Sequence, residues 1–255
     1  MHVTTVGRGP DLVLVHGWGM HGGIFAPLVP ALSQRARLHL VDLPGHGYSA
    51  GSGRRLDLDA TIDQAFATLP RAVWLGWSLG GLVALEAARR DPSRVAALVP
   101  IATSPRFTRA PDWPHAVETE VFASFARELG GDYRRTLERF LALECHGSDR
   151  ARLELKTLRA AVFAHGQPDA AALADGLAIL AGTDLRAALP TLAMPAVWIA
   201  GARDLLVPPA ALERASAAMP DARHVTIAGG GHAPFIGHPD AVLDAVETLL
   251  DEVTA

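Results

Sequence analysis

The chain has very little cysteine and lysine, and it lacks an excess of positive charge. Cys145 is the only cysteine and Lys156 the only lysine. A single cysteine cannot form a disulfide within the chain, so we expect a reducing, cytoplasmic location. Lysine and arginine number 23 against 27 acidic residues, which leaves a formal net charge of −4. Without a basic excess to neutralise phosphates, nucleic acid is not expected as a partner.

Long apolar runs, targeting signals and metal motifs are also missing. No apolar run approaches the roughly 20 residues of a membrane-spanning helix, and the first residues lack a basic segment followed by an unbroken apolar one. Neither a His-Glu-x-x-His pair nor a glycine-rich dinucleotide motif after the first strand is present. With 255 residues, of which 49% are hydrophobic, the chain can bury a large core. We expect a soluble monomer that needs no metal and no organic cofactor.

Short runs of β-branched residues alternate with helical stretches along most of the chain. This alternation predicts an α/β fold, with a mostly parallel sheet covered by helices on both faces. The predicted strands lie within 11–17, 38–45, 72–78, 95–102, 196–204 and 222–229, and the predicted helices cover 58–69, 79–91, 209–218 and the residues from Pro239 onward.

One long stretch, residues 104–190, breaks the alternation. It contains several helical stretches but no convincing strand, whereas connections between strands and helices usually take about 2 to 6 residues. Because it leaves the sheet directly after a strand, it should lie over the carboxyl ends of the strands, where such sheets bind ligands. We therefore predict a core formed by residues 1–103 and 191–255, and a helical lid formed by residues 104–190.

A Gly-x-Ser-x-Gly motif lies between a predicted strand and a predicted helix. Gly76, Ser78 and Gly80 form it, and this context is typical of a nucleophile elbow, in which the serine is held at the tip of a tight turn. The helix that begins at Leu79 directs its free N–H groups toward the serine and favours negative charge there. The alternative is a serine that only caps the helix.

A serine nucleophile needs a base and an acid, which follow the serine in the chain order Ser, Asp, His. Asp204 and His232 each follow a predicted strand in that order. They are therefore the predicted acid and base. Asp42 also ends a strand, but it precedes the serine and opens a turn, so we interpret it as a loop-shaping acceptor and as the second candidate for the acid.

The segment His16-Gly17-Trp18-Gly19 follows the first strongly apolar strand. Its position places the backbone N–H of Trp18 beside the elbow, where it can form an oxyanion hole together with the N–H of Leu79. The alternative is a tight turn without a catalytic role.

These motifs resemble the α/β-hydrolase superfamily over the whole chain and, within it, the carboxylesterases that act on the methyl ester of pimeloyl-acyl-carrier protein in biotin synthesis. The resemblance rests on residues 14–19, 38–45, 74–84, 138–143 and 232–236. It implies Ser78, Asp204 and His232 as the triad, an acyl-enzyme intermediate, and small esters as further substrates.

The resemblance also implies an apolar acyl channel and a surface for the carrier. The channel would be lined by Trp18, Trp77, Leu79 and Phe140, although the aromatic side chains could equally pack the lid against the core. The carrier's phosphopantetheine phosphate and acidic helix would bind to Arg135, Arg139, Arg152, Lys156 and Arg159. Lys156 stands where the family usually has arginine, which keeps the charge but loses bidentate geometry. From the residues alone, a solvated face neutralised by Glu138 and Glu154 is the alternative.

Fold and triad do not fix the substrate. A broad short-chain carboxylesterase and a C–C bond hydrolase remain alternatives, as does a non-enzymatic protein that binds acyl groups or the carrier. The epoxide hydrolases and haloalkane dehalogenases of this fold have aspartate at the elbow, so Ser78 excludes both.

Overall fold

A seven-stranded sheet forms the centre of the computed structural model, which describes residues 1–254. The strands are β1 His2–Gly7, β2 Asp11–Val15, β3 Arg37–Asp42, β4 Ala72–Trp77, β5 Val95–Ile101, β6 Ala196–Gly201 and β7 Ala222–Ile227. Their order across the sheet is β1-β3-β2-β4-β5-β6-β7. Strand β1 pairs antiparallel with β3, and every other pair is parallel.

Within the described residues, ten α-helices and four short 3-10 helices surround the sheet. The α-helices are α1 Val29–Leu32, α2 Leu58–Thr68, α3 Leu79–Arg90, α4 Thr119–Leu129, α5 Tyr133–Cys145, α6 Ala151–Val162, α7 Ala170–Gly182, α8 Pro209–Ala217, α9 Pro234–Gly237 and α10 Pro239–Thr254. The 3-10 helices are Gly22–Phe25, Gly47–Ser49, Pro92–Arg94 and Arg186–Thr191.

The middle of the sheet is covered on both faces. Every residue of β4 and of β6 is buried, which requires helices on either side because successive side chains in a strand point to opposite faces. Helix α3 packs against β2, β4 and β5, whereas α8 and α10 both pack against β6 and β7. The predicted α/β architecture is confirmed.

Strand β1 is an element that the sequence analysis did not predict. It lies at the edge of the sheet, and four of its six residues are exposed. An antiparallel edge strand with so little burial lacks the continuous apolar run by which the parallel strands were found. The predicted sheet therefore lacked its first strand.

The connection between β5 and β6 carries the helices α4 to α7. Helix α4 packs against α5 and α7, and α5 packs against α6. Helix α7 also contacts α3, while α6 contacts α9 and the 3-10 helix at Gly22–Phe25. Since α3, α9 and this 3-10 helix all follow the carboxyl ends of strands, the inserted helices cover that edge of the sheet. No helix within residues 1–254 is long and apolar enough to cross a membrane.

Candidate active site

Ser78 is at a sharp turn between β4 and α3. Its backbone has φ 53° and ψ −118°, a region of backbone conformation that residues other than glycine rarely adopt. The turn is held from both sides, because the Ser78 N–H donates to the Ile101 carbonyl at 3.0 Å and Thr103 Oγ1 donates to the Ser78 carbonyl at 2.7 Å. The surrounding structure thus fixes the strained backbone that presents the hydroxyl.

The glycines of the elbow have a steric explanation. A Cβ atom on Gly80 would collide with the backbone carbonyl of Val15, and one on Gly76 would collide with the carbonyl of Gly80. Strand β2 and the start of α3 can approach this closely only because no side chain stands between them.

Ser78, His232 and Asp204 form a continuous hydrogen-bonded chain. The His232 Nε2 atom lies 2.9 Å from Ser78 Oγ, and its Nδ1 atom lies 2.8 Å from Asp204 Oδ2. With the proton on Nδ1 donated to Asp204, Nε2 can accept the hydroxyl proton of Ser78. The other oxygen of Asp204 accepts from the N–H groups of Leu206 and Val207, both at 2.9 Å.

The environment of His232 changes its basicity. Burial would lower the pKa of His232, whereas the charge of Asp204 and the hydrogen bond to it act in the opposite direction, and the pKa is raised above its ordinary value. A raised pKa suits a base that must take a proton from a hydroxyl and hold it briefly.

Asp42 lies outside this chain and shapes a loop. Its two oxygens accept from the N–H groups of Gly22 at 2.7 Å and Tyr48 at 2.8 Å. Beside it, His16 Nε2 accepts from the Leu43 N–H at 3.0 Å. These bonds agree with the interpretation of Asp42 as a loop-shaping acceptor.

Two backbone N–H groups beside the elbow remain available to a ligand. Within residues 1–254, neither the Trp18 N–H nor the Leu79 N–H donates to another protein group. Leu79 is the first residue of α3, so its N–H lies at the positive end of the helix dipole. The Trp18 ring is fixed by a hydrogen bond of 2.8 Å from Nε1 to the Leu173 carbonyl.

Comparisons with known proteins identify the family of the chain. A family model described as alpha/beta hydrolase fold matches residues 10–239. The chain belongs to the α/β-hydrolase fold family. A curated relative from Xanthomonas campestris is 55% identical over 98% of both chains, and one from Stenotrophomonas maltophilia is 55% identical over 97% of this chain and 95% of the relative. Both are named pimeloyl-[acyl-carrier protein] methyl ester esterase.

A solved structure confirms the fold of this hydrolase independently of close sequence identity. The esterase from Exiguobacterium antarcticum superimposes with a TM-score of 0.86 at 20% identity, and the match covers 100% of this chain and 95% of that one. The predicted fold and the predicted family are therefore both correct.

The aromatic residues predicted for the acyl channel fall into two groups. Trp18 and Phe140 stack at a tilt with ring centroids 4.6 Å apart, and Phe125 meets Phe140 edge-on at 5.2 Å. This cluster joins the inserted helices to the loop after β2, directly beside Leu79. Its position fits a channel wall, and it also packs the insertion onto the core.

Trp77 has a different environment. Its Nε1 donates to the His232 carbonyl at 2.7 Å, and its ring meets Phe235 edge-on at 5.2 Å. A Cβ on Gly17 would lie 3.0 Å from the same ring. These contacts pack the indole against residues of the core and support the loop that carries His232, rather than joining the insertion to the core.

Glu144 is a residue of the site that the sequence analysis missed. It lies on α5, its side chain is fully buried, and its Oε1 is 3.9 Å from His232 Nε2. Phe140 stands four residues earlier and so shares the same helix face. That spacing could have indicated a carboxyl group facing the site, but only once Phe140 was known to point inward.

The five basic residues predicted to bind the carrier lie on α5 and α6 and are all exposed. Arg139 pairs with Glu128 and lies over the ring of Phe125. Among residues 1–254, the other four form no ion pair. Glu154 does not neutralise them, because it is buried and accepts from Ser148 Oγ at 2.7 Å.

In the part of the chain that the structure describes, no group of three or more His, Cys, Asp or Glu side chains is placed to hold a metal ion.

Proposed function

We propose that this hydrolase is a serine carboxylesterase that removes the methyl group from pimeloyl-acyl-carrier protein in biotin synthesis. One observation carries the choice of substrate: relatives of 55% identity, matched over 98% of both chains, bear the name of that esterase. The geometry supports the chemistry, since the hydroxyl, imidazole and carboxylate are linked at 2.9 and 2.8 Å. A non-enzymatic binding protein would have no need of this linkage.

The reaction proceeds in two halves. Ser78 Oγ attacks the ester carbonyl while His232 Nε2 takes its proton, and His232 then passes that proton to the departing methanol. The acyl group remains on Ser78 as an ester. Water attacks this ester and gives a proton to His232, which returns it to Ser78 Oγ as the ω-carboxylic acid is released. The acid then loses its remaining proton to solvent and becomes the ω-carboxylate.

The negative charge that develops on the carbonyl oxygen is stabilised by the two N–H groups of Trp18 and Leu79. Donors held in place before the reaction need no reorganisation when the charge forms. Asp204 keeps His232 in the orientation in which Nε2 faces Ser78, and it stabilises the imidazolium.

Residues 104–190 act as the lid, and residues 1–103 and 191–254 as the core, while residue 255 of the predicted core lies outside the described residues. The burial of the site supports this division, because the side chains of Ser78 and His232 have no exposed surface. Substrate therefore reaches Ser78 only when part of the insertion moves away from the core. The exposed basic residues on α5 and α6 would then bind the acidic carrier and its phosphate beside the opening.

The protein works as a cytoplasmic monomer. Its lone cysteine, Cys145, is free and buried. The large apolar side chains exposed within residues 1–254 are Val6, Tyr48, Leu153 and Leu205, which belong to four separate segments. So few exposed large apolar side chains support the monomer, since a stable subunit interface usually needs a contiguous apolar patch.

The decisive experiment compares three esters with the purified protein: the methyl ester of pimeloyl-acyl-carrier protein, free dimethyl pimelate, and p-nitrophenyl butyrate. We expect the highest kcat/KM for the carrier-bound ester. The Ser78→Ala variant should be folded by circular dichroism and inactive on all three.

Two results would contradict the proposal. Equal kcat/KM for carrier-bound and free methyl esters would indicate the broad short-chain esterase instead. Activity of the Ser78→Ala variant near that of the wild type would remove Ser78 as the nucleophile.

A further inference from the structure

Glu144 has a buried carboxyl group beside the reacting atoms and no partner for it. Both carboxyl oxygens are buried, and neither forms a hydrogen bond with any of residues 1–254. Oε1 lies 3.9 Å from His232 Nε2, the atom that also faces Ser78 Oγ. A distance of 3.9 Å is too long for a hydrogen bond, but it is short enough for a single oxygen to lie about 2.8 Å from each atom.

The position of Glu144 is fixed through its backbone. Its carbonyl accepts from the His232 N–H at 3.2 Å. Five residues later, the Asp149 N–H donates to the Gly229 carbonyl at 3.0 Å. The end of α5 is thus bonded directly to the loop that carries the base, so the carboxyl and the imidazole keep their spacing.

The groups around Glu144 determine its charge. His232 and Asp204 face it from the loops after β7 and β6, and the buried Glu154 lies near the same histidine. Burial raises the pKa of Glu144 to about 8, with the attraction of His232 opposing the shift and Asp204 adding to it. A neutral carboxyl can both donate and accept a hydrogen bond, and it does not hold the resting His232 in its protonated form.

We propose that Glu144 is a catalytic residue that binds the oxygen exchanging a proton with His232, first the departing methanol and then the hydrolytic water. This inference rests on the esterase activity proposed above. It adds a residue from the insertion to the proposed catalytic residues Ser78, Asp204 and His232, which all come from the core.

The role of Glu144 is clearest in the second half of the reaction. The water oxygen forms a bond to the acyl carbon while one of its protons moves to His232 Nε2. The other proton is directed to the carbonyl oxygen of the Glu144 carboxyl group, which turns a lone pair of the water toward the acyl carbon. The bond between the acyl carbon and Ser78 Oγ then breaks, and His232 returns the proton to Oγ. Glu144 neither gains nor loses a proton.

The test uses p-nitrophenyl butyrate, because p-nitrophenolate departs without needing a proton from His232. Acylation by this ester therefore does not depend on Glu144, whereas deacylation does. In the Glu144→Leu variant we expect a rapid burst of about one p-nitrophenolate per active site. Steady turnover should then be about 10- to 100-fold slower than in the wild type, and mass spectrometry should detect a butyryl group on Ser78.

Two further variants separate this role from a structural one. Glu144→Gln keeps a neutral group that donates and accepts, so it should restore deacylation to within a few-fold of the wild type. Glu154→Gln changes the neighbouring buried acid, which bonds to Ser148, and should give no burst.

A Glu144→Leu variant that turns over without a burst at the wild-type rate would overturn the inference. So would a parallel loss of burst and steady rate in a folded protein, because that result indicates general damage to the site. A wild-type protein inactive on every ester would instead refute the proposed function.

Discussion

Asp204 contacts His232 with one carboxylate oxygen and its own loop with the other. An amide in its place can still accept from the loop, but it cannot stabilise the imidazolium by charge and can turn an N–H group toward Nδ1. In Asp204→Asn we therefore expect kcat to fall by up to about 10⁴-fold with little loss of stability. The measurement is kcat on p-nitrophenyl butyrate together with the thermal midpoint.

Asp42→Asn is the matched control, because Asp42 is also buried and also accepts two backbone N–H groups. One of those bonds is lost in the variant, which should cost about 1–3 kcal/mol of stability and leave kcat within roughly tenfold. If Asp42→Asn lowered kcat far more than Asp204→Asn, the acid would be Asp42.

Single residues were predicted best where local sequence determines their position. Ser78 could be predicted at a tight turn because the glycines around it and the strand before it together form the pattern of a nucleophile elbow. Glu144 was missed although its spacing of four residues from Phe140 places both on one face of α5, because its meeting with His232 also depends on how α5 lies over the sheet. The contacts of Trp77 with the His232 loop likewise depend on the folded structure, and the sequence left packing only as an alternative to the channel.

At the scale of elements, the elbow depends on the closest approach between β2 and α3. A Cβ on Gly80 would collide with backbone atoms of Val15 and His16, which cannot move as a side chain can. We expect Gly80→Ala to lose on the order of 2–4 kcal/mol of stability and most of the activity. Urea unfolding and kcat measure the two effects.

Gly182→Ala is the comparison for that variant. Gly182 ends α7, and a Cβ there would meet nothing within 4 Å. Alanine should change stability by less than about 1 kcal/mol. If both variants lost the same stability and activity, the close contact between Gly80 and the backbone of Val15 would not explain why the elbow needs glycine at this position.

The bounds of the helices that directly follow buried strands or pack against them were predicted to within about one residue. The helix expected at 79–91 is observed at Leu79–Arg90, and the one expected at 209–218 is observed at Pro209–Ala217. Strand β1 was missed because its side chains are mostly exposed and its pairing with β3 is a property of the folded sheet. The spacing of apolar residues in a sequence reflects which side chains are buried. An exposed edge strand buries few side chains, so its apolar pattern is weak.

For the whole molecule, the exposed charge on α5 and α6 should matter only to a large acidic substrate. Reversing both Arg139 and Arg152 to glutamate should raise KM for the carrier-bound ester and leave p-nitrophenyl butyrate hydrolysis nearly unchanged. Added salt should weaken use of the carrier in the wild type, since exposed charges are screened over about 8 Å at physiological ionic strength.

Arg223→Glu is the control, because Arg223 lies on β7 and forms an exposed ion pair with Glu252. This variant also replaces an exposed arginine by glutamate, but the substituted residue lies outside the insertion. A parallel loss of activity on both substrates in the double variant would show that Arg139 and Arg152 hold the lid together. No change on either substrate would leave them as a solvated helix face.

The insertion between β5 and β6 has a consequence for synthesis of the chain. When β5 emerges from the ribosome, its partner β6 is still to be translated, and residues 104–190 must come first. During that interval the apolar segment Val95–Ile101 has backbone groups free on one side, the condition under which strands pair with foreign chains. Helices α4 to α7, being local structures, can fold in the same interval. The segment proposed as the lid can thus also shield the unfinished sheet.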